Sequence, residues 1–174
     1  MIMLLNNIVA ESGKALPLGA ELVNDGVNFA IFSRNATAVT LILFESTEKN
    51  SPWIEIPLDK RGNKTGNIWH CFIKGLKAGA CYLYRADGPY FPEKGLRFNP
   101  HKTLLDPYAK ALTDISGWDF STGAGYDLES PGKDLTYSYI DDINHKPRCI
   151  VVDDDFDWEG DTPLNYPLRF SVIY

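Results

Sequence analysis

Apolar positions in the first half of the chain recur at every second residue between turn-forming stretches, the pattern of strands with one face turned inward. After Asn24-Asp25-Gly26, a turn signal, Val27, Phe29 and Ile31 alternate with Asn28 and Ala30. Val39, Leu41 and Leu43 then share one face, and Thr40, Ile42 and Phe44 the other. In the run PWIEIPL, Ile54, Ile56 and Leu58 face inward while Trp53 and Glu55 take the opposite side. Pro57 cannot donate to a ladder, which predicts a strand at a sheet edge. IWHCFIK sets Trp69, Cys71 and Ile73 against Ile68, His70 and Phe72, and in CYLYRADGPY Tyr82 and Tyr84 share a face from which Arg85 points away.

Short strands at this spacing, with almost no helical periodicity, predict an all-β fold: an immunoglobulin-like antiparallel β-sandwich followed by a loop-rich connector. The expected spans are an N-terminal extension over residues 1–15, the sandwich over 16–115 and the connector over 116–174. The second half changes character, since eight of the 11 prolines lie from Pro89 onward and glycine-rich polar stretches break any period. One short helix is predicted at Tyr108 to Leu112, with Asp106 as its cap and Pro107 at its first position. Residues 116–144 read as loop, and a loop that long needs a surface to lie on.

Composition narrows the function. With 44% hydrophobic and 23% charged residues in 174, the chain is an ordinary folded domain. A net charge of -6 without a basic stripe argues against a nucleic-acid partner. No apolar run approaches the ~20 residues of a membrane span. Cys71, Cys81 and Cys149 are odd in number and lack C-x-x-C spacing, which indicates neither a disulfide framework nor a zinc site. Together with the opening MIMLL, too short for a signal sequence, they point to reduced thiols in a cytoplasmic protein.

Catalytic templates find no match: no G-x-S-x-G elbow, H-E-x-x-H or P-loop is present. His70, His101 and His145 are scattered and read as packing or surface residues. The acidic stretch Asp153 to Asp161, tested as a calcium loop, puts Trp158 where glycine is required and Leu164 where the bidentate glutamate belongs. No metal, no cofactor and no catalytic residue is therefore assigned to this chain. The candidate binding residues are Trp53, Arg85 and Tyr90, an outward aromatic plane with a guanidinium and a second aromatic nearby. Such a set suits the apolar face and hydroxyls of a sugar ring. The alternative reading has Trp53 packed against a partner domain and Arg85 in an intrachain salt bridge.

Three stretches resemble one family: PLGAELVNDGVNFAIFS at Pro17 to Ser33, YLYRADGPYFPEKGLRFNPHKTLLDPYAKAL at Tyr82 to Leu112, and DFDWEGDTPLNYPLRFSVIY at Asp155 to Tyr174. They are similar to the N-terminal region of bacterial isoamylase-type glycogen debranching enzymes of the α-amylase superfamily. The resemblance implies an immunoglobulin-like domain of the carbohydrate-binding module 48 class, then a connector leading to a catalytic (β/α)8 barrel. Ser171 to Tyr174 matches that barrel's first strand, and the catalytic carboxylates lie beyond this chain. The implied function is a non-catalytic domain that packs on the parent's own barrel and contacts glycogen or another α-glucan. A self-sufficient glucan-binding module, or the N-terminal domain of a maltooligosyltrehalose trehalohydrolase or branching enzyme, is the alternative. PWIEIPL and YRADGPY further resemble glycogen-binding segments carrying a stacking tryptophan, a basic residue and an aromatic, which supports Trp53, Arg85 and Tyr90.

Overall fold

The computed structural model describes residues 3–5, 8–44, 52–154 and 157–162, together with residues 165, 167 and 169. The strand expected at Ser171 to Tyr174 lies outside the described residues. Among the described residues, fourteen strands, many of two residues, form two antiparallel sheets and one separate hairpin.

The first sheet contains β1 (Met3–Leu5), β2 (Ile8–Glu11), β3 (Gly19–Val23), β4 (Gly26–Phe32), β7 (Lys64–Thr65) and β8 (Ile68–Lys74). Their order is β1-β2-β8-β4-β3, with β7 also beside β8. Asn24 and Asp25 make the two-residue link between β3 and β4, where Val23 pairs with Gly26. The second sheet contains β5 (Ala38–Phe44), β6 (Ile54–Pro57), β9 (Cys81–Asp87), β12 (Thr103–Leu104), β13 (Ala111–Leu112) and β14 (Cys149–Ile150). Its order is β13-β14-β9-β5-β6, and β12 pairs with β9 as well. The hairpin is β10 (Tyr90–Phe91) with β11 (Leu96–Arg97).

Strand alternation puts the core where it was expected. Val27 and Phe29, Val39, Leu41 and Leu43, Ile54 and Ile56, Trp69, Cys71 and Ile73, and Tyr82 and Tyr84 are all buried between the sheets. Phe29 meets Tyr82 edge to face at 5.0 Å between ring centres, joining the two layers. Each such side chain contributes roughly 1.5–3 kcal/mol by leaving water. Among the described residues β6 pairs with β5 alone, which makes it the edge strand that Pro57 foretold.

The outer faces are covered too. On the first sheet the strap Ser12 to Lys14 crosses close to the backbone. Asn28 Nδ2 donates to the Lys14 carbonyl at 2.9 Å and its Oδ1 accepts from the Lys14 N–H at 2.7 Å. His70 lies under the same strap, buried, with Nδ1 donating to the Ser12 carbonyl at 2.6 Å and Nε2 accepting from Thr65 at 2.9 Å. Gly13 takes φ +72, and a Cβ there would fall 2.5 Å from the Cys71 backbone carbon. Only glycine meets both conditions without strain.

On the second sheet, Ile42, Phe44, Cys81 and Leu83 form a small outward-facing cluster covered by Leu105, Ile143 and Ile150. The Arg148 guanidinium lies 3.9 Å above the Phe44 ring. The sheets therefore draw on both flanking spans, β2 from within residues 1–15 and β14 from within 116–174.

The helix predicted at Tyr108 to Leu112 does not form. The Asp106 carboxylate does accept from the Tyr108 N–H at 2.8 Å, and the Ala109 N–H reaches the Asp106 carbonyl at 3.1 Å, closing a turn. The chain then extends as β13 because Ala111 and Leu112 pair with Ile150 and Cys149. Aspartate followed by proline starts a turn as readily as a helix, and the long-range pairing decides between them.

Candidate carbohydrate-contacting surface

Trp53 stands just before β6, where its backbone N–H donates to the Leu43 carbonyl at 2.8 Å. Edge position leaves the residue 40% exposed beside the exposed Glu55.

Arg85 projects from the outer face of β9 but is occupied. Its Nη2 donates to both carboxylate oxygens of Asp141, at 3.0 and 2.8 Å, and its Nη1 donates to the Pro100 carbonyl at 2.9 Å. Tyr90, in β10, donates its hydroxyl to the Thr136 carbonyl. Arg85 and Tyr90 thus both engage the segment 116–146. Trp53 is apart from them: Leu43, opposite the adjacent Ile54, and Thr40, opposite Arg85, are three residues apart on β5, roughly 10 Å at about 3.4 Å per residue, and β5 itself stands between β6 and β9. The structure does not bring the three predicted residues onto one platform.

Segment 116–146 is the loop that the sequence suggests, with one helical turn, α1 (Phe120–Gly123), and a 3-10 turn at Lys133–Leu135. Its surface is the chain's own stretch from Arg85 to Leu104. Asn99 Nδ2 donates to the Ser138 carbonyl at 2.8 Å and to the Gly125 carbonyl at 3.2 Å. Lys102, buried, donates to the carbonyls of Thr122 and Ile140 at 2.7 and 2.6 Å. Burial lowers the affinity of its ammonium for the proton, with Lys146 acting the same way against the pull of Asp142.

The fully buried Asp142 carboxylate accepts from the Thr103 N–H and hydroxyl, at 2.7 and 2.9 Å, and faces the Lys146 ammonium at 2.6 Å. These groups fasten the loop to β12 and the residues before it.

The loop also carries aromatics that the sequence reading passed over. Tyr137 lies 4.8 Å from Tyr90 and 4.9 Å from Tyr139 between ring centres, and His101 lies 5.6 Å from Tyr139. Ser138, buried between the two tyrosines, turns them to one side. The signal was in the sequence: Tyr-Ser-Tyr has the period of an extended segment.

Next to this strip a cleft of about 740 Å³ opens between β11 and the loop, lined by Tyr90, Phe98 and Tyr126 and by Arg97, Asn99 and Asp134. Among the described residues no cluster of metal ligands is present, and no helix is long and apolar enough to cross a membrane.

Comparison with known proteins gives a consistent picture. The carbohydrate-binding module 48 family (isoamylase N-terminal domain) matches residues 17–109. A glycogen debranching enzyme of Yersinia enterocolitica is 41% identical over 163 residues, covering 94% of this chain and 22% of that protein. A glycogen debranching enzyme of Serratia proteamaculans is 39% identical over 162 residues, covering 93% of this chain and 22% of that protein. The chain therefore spans a little over a fifth of the length of these relatives.

Among solved structures, the catalytic module of a multi-modular glycogen-degrading pneumococcal virulence factor superposes with a TM-score of 0.52 at 18% identity, covering 82% of this chain and 17% of that one. A pullulanase from Bacillus acidopullulyticus gives 0.51 at 21% identity, covering 84% of this chain and 13% of that one. At such identities the likeness is one of fold.

Proposed function

As the chain belongs to the carbohydrate-binding module 48 family of isoamylase N-terminal domains, we propose that it is the non-catalytic N-terminal domain of a glycogen debranching enzyme. The parent would hydrolyse α-1,6-glucosidic branch linkages in glycogen or a related α-glucan. The observation that carries this reading is the alignment of 94% of the chain with 22% of a glycogen debranching enzyme. The rest of such a protein supplies the chemistry, a pair of carboxylates acting as nucleophile and general acid/base. Arg85, held by Asp141, serves to fix the loop on the sheet.

The proposed role of the domain is to pack on the catalytic barrel and to contact glucan. Trp53 is the proposed sugar-stacking residue, supported by its exposure on an edge strand. Residues 16–115 are the proposed body of the sandwich, to which β2 and β14 add from the flanking spans, and 116–174 the proposed connector towards the barrel. The proposed compartment is the cytoplasm, which three free, buried thiols support.

The test is the reading frame beyond the Tyr174 codon. A (β/α)8 barrel with acidic catalytic motifs is expected there, and an immediate stop codon would overturn the parent enzyme. For Trp53, calorimetric titration of the 174-residue chain with maltoheptaose should give a Kd near ~1 mM, weakened in Trp53→Ala. Equal binding by that variant removes Trp53 from the site.

A further inference from the structure

We propose that a second carbohydrate-contacting site, separate from Trp53, runs along His101, Tyr137 and Tyr139 into the adjoining cleft, and that it takes a short α-glucan segment. The inference rests on the reading of the chain as part of an α-glucan enzyme.

Continuity is the first ground. Tyr90 lines the cleft and its ring centre is 4.8 Å from that of Tyr137, so strip and cleft form one surface. Tyr139, at the outer end, is 75% exposed.

Rigidity is the second. The Ser138 N–H donates to the Gly125 carbonyl at 3.0 Å, while the carbonyls of Ser138 and Ile140 are held by Asn99 and Lys102. The residues flanking Tyr139 are thus fixed at the backbone, and presenting its ring to a ligand costs little ordering.

Charge balance supplies the third ground and selects the class of ligand. The open polar side of the cleft is an ion pair, Arg97 to Asp134 at 2.7 Å, with both side chains partly open to water at 41% and 55%. Lys102 and Lys146 also line the cleft, but both are turned away from a ligand, Lys102 to the carbonyls of Thr122 and Ile140 and Lys146 to Asp142. The guanidinium offers donors and the carboxylate acceptors, so together they satisfy hydroxyls that do both. An anion such as a nucleotide would meet Asp134, and a cation would meet Arg97. A neutral polyol meets neither obstacle. Rings with polar edges suit the apolar face and equatorial hydroxyls of a pyranose, and the cleft's volume lies within the ~300–1,000 Å³ typical of small-ligand pockets.

The experiment is a titration of maltoheptaose into the 174-residue chain, followed by NMR of tyrosine and histidine ring resonances and by calorimetry. Wild type is compared with Tyr139→Ala, Tyr139→Phe, His101→Ala and Trp53→Ala. Ring resonances of His101, Tyr137 and Tyr139 should shift on addition of sugar. Tyr139→Ala should weaken binding by about fivefold and Tyr139→Phe should restore most of it. The exposure of Tyr139 allows its substitution without unfolding, which a melting curve checks.

Binding by Tyr139→Ala and His101→Ala equal to wild type, with unmoved ring resonances, overturns the second site. If binding is then lost in Trp53→Ala alone, the debranching reading survives. Failure of wild type to bind any glucan overturns the site. Absence of a barrel downstream is the separate result that ends the parent reading.

Discussion

Arg85 grips both carboxylate oxygens of Asp141, 56 residues farther along the chain, from the outer face of β9. Its side chain is 13% exposed and that of Asp141 51%, so the pair is sheltered on one side only. Arg85→Ala should cost about 1–2 kcal/mol, and Asp141→Asn should reproduce most of it. Both changes should speed limited proteolysis within residues 116–146. A loop equally resistant in wild type and variants would contradict the fastening role.

Asp142 is the more demanding position. It is fully buried, and its partner Lys146 retains only 9% exposure. Asp142→Ala would leave that ammonium buried and unpaired, along with the Thr103 donors, at a cost of about 3–5 kcal/mol. Urea denaturation should show the loss as a lower midpoint. Replacing both residues, Asp142→Leu with Lys146→Met, should recover much of it, since removing a buried pair together is far milder than breaking it.

Asp106 gives the domain a pH signature. Burial raises its carboxyl above the usual carboxylate range, against hydrogen bonds from the Tyr108 N–H and the Tyr82 hydroxyl that pull the other way. The folded state then binds this proton more tightly than the unfolded chain does. Its contribution therefore favours folding at acid pH and declines as pH climbs from the ordinary carboxylate range through the raised folded value. Asp106→Asn should flatten that part of a plot of Tm against pH. A steeper plot in the variant would reverse the sign assigned here.

The thiols should be silent in the folded state. Burial pushes Cys71 and Cys149 up to about 12, and Cys81 is raised by the same cause against the pull of Arg148. Iodoacetamide at pH 8 should label none of the three over minutes in native protein and all three in urea, because only the thiolate reacts. Fast labelling without denaturant would show that the core opens around them.

β4, β5, β6, β8 and β9 were legible because each carries at least four residues of alternation, whereas nothing in the pattern marked β1, β2, β3 or β7. β4, β6 and β9 turned the expected faces inward, and in β5 and β8 one of the two faces read from the alternation lies in the core. β12 and β14 were not legible. Two residues carry no period, and their places beside β9 follow from Thr103 meeting Arg85 and Cys149 meeting Tyr82.

The same holds for the candidate surface. The exposure of Trp53 could be read from the pattern, whereas the engagement of Arg85 depends on an aspartate far along the chain. Asp142 and Lys146 have the spacing of a helical pair but meet in a non-helical loop. Only the fold reveals that meeting.

β13 and β14 are antiparallel neighbours, with Leu112 opposite Cys149, so everything between them is the tip of a single hairpin. Each doubling of such a tip costs only about 0.6 kcal/mol in closure entropy. The sandwich can therefore keep its architecture while the tip is lengthened, trimmed or recoloured outside the fastened stretch from Asp141 to Lys146, much as a handle accepts different blades.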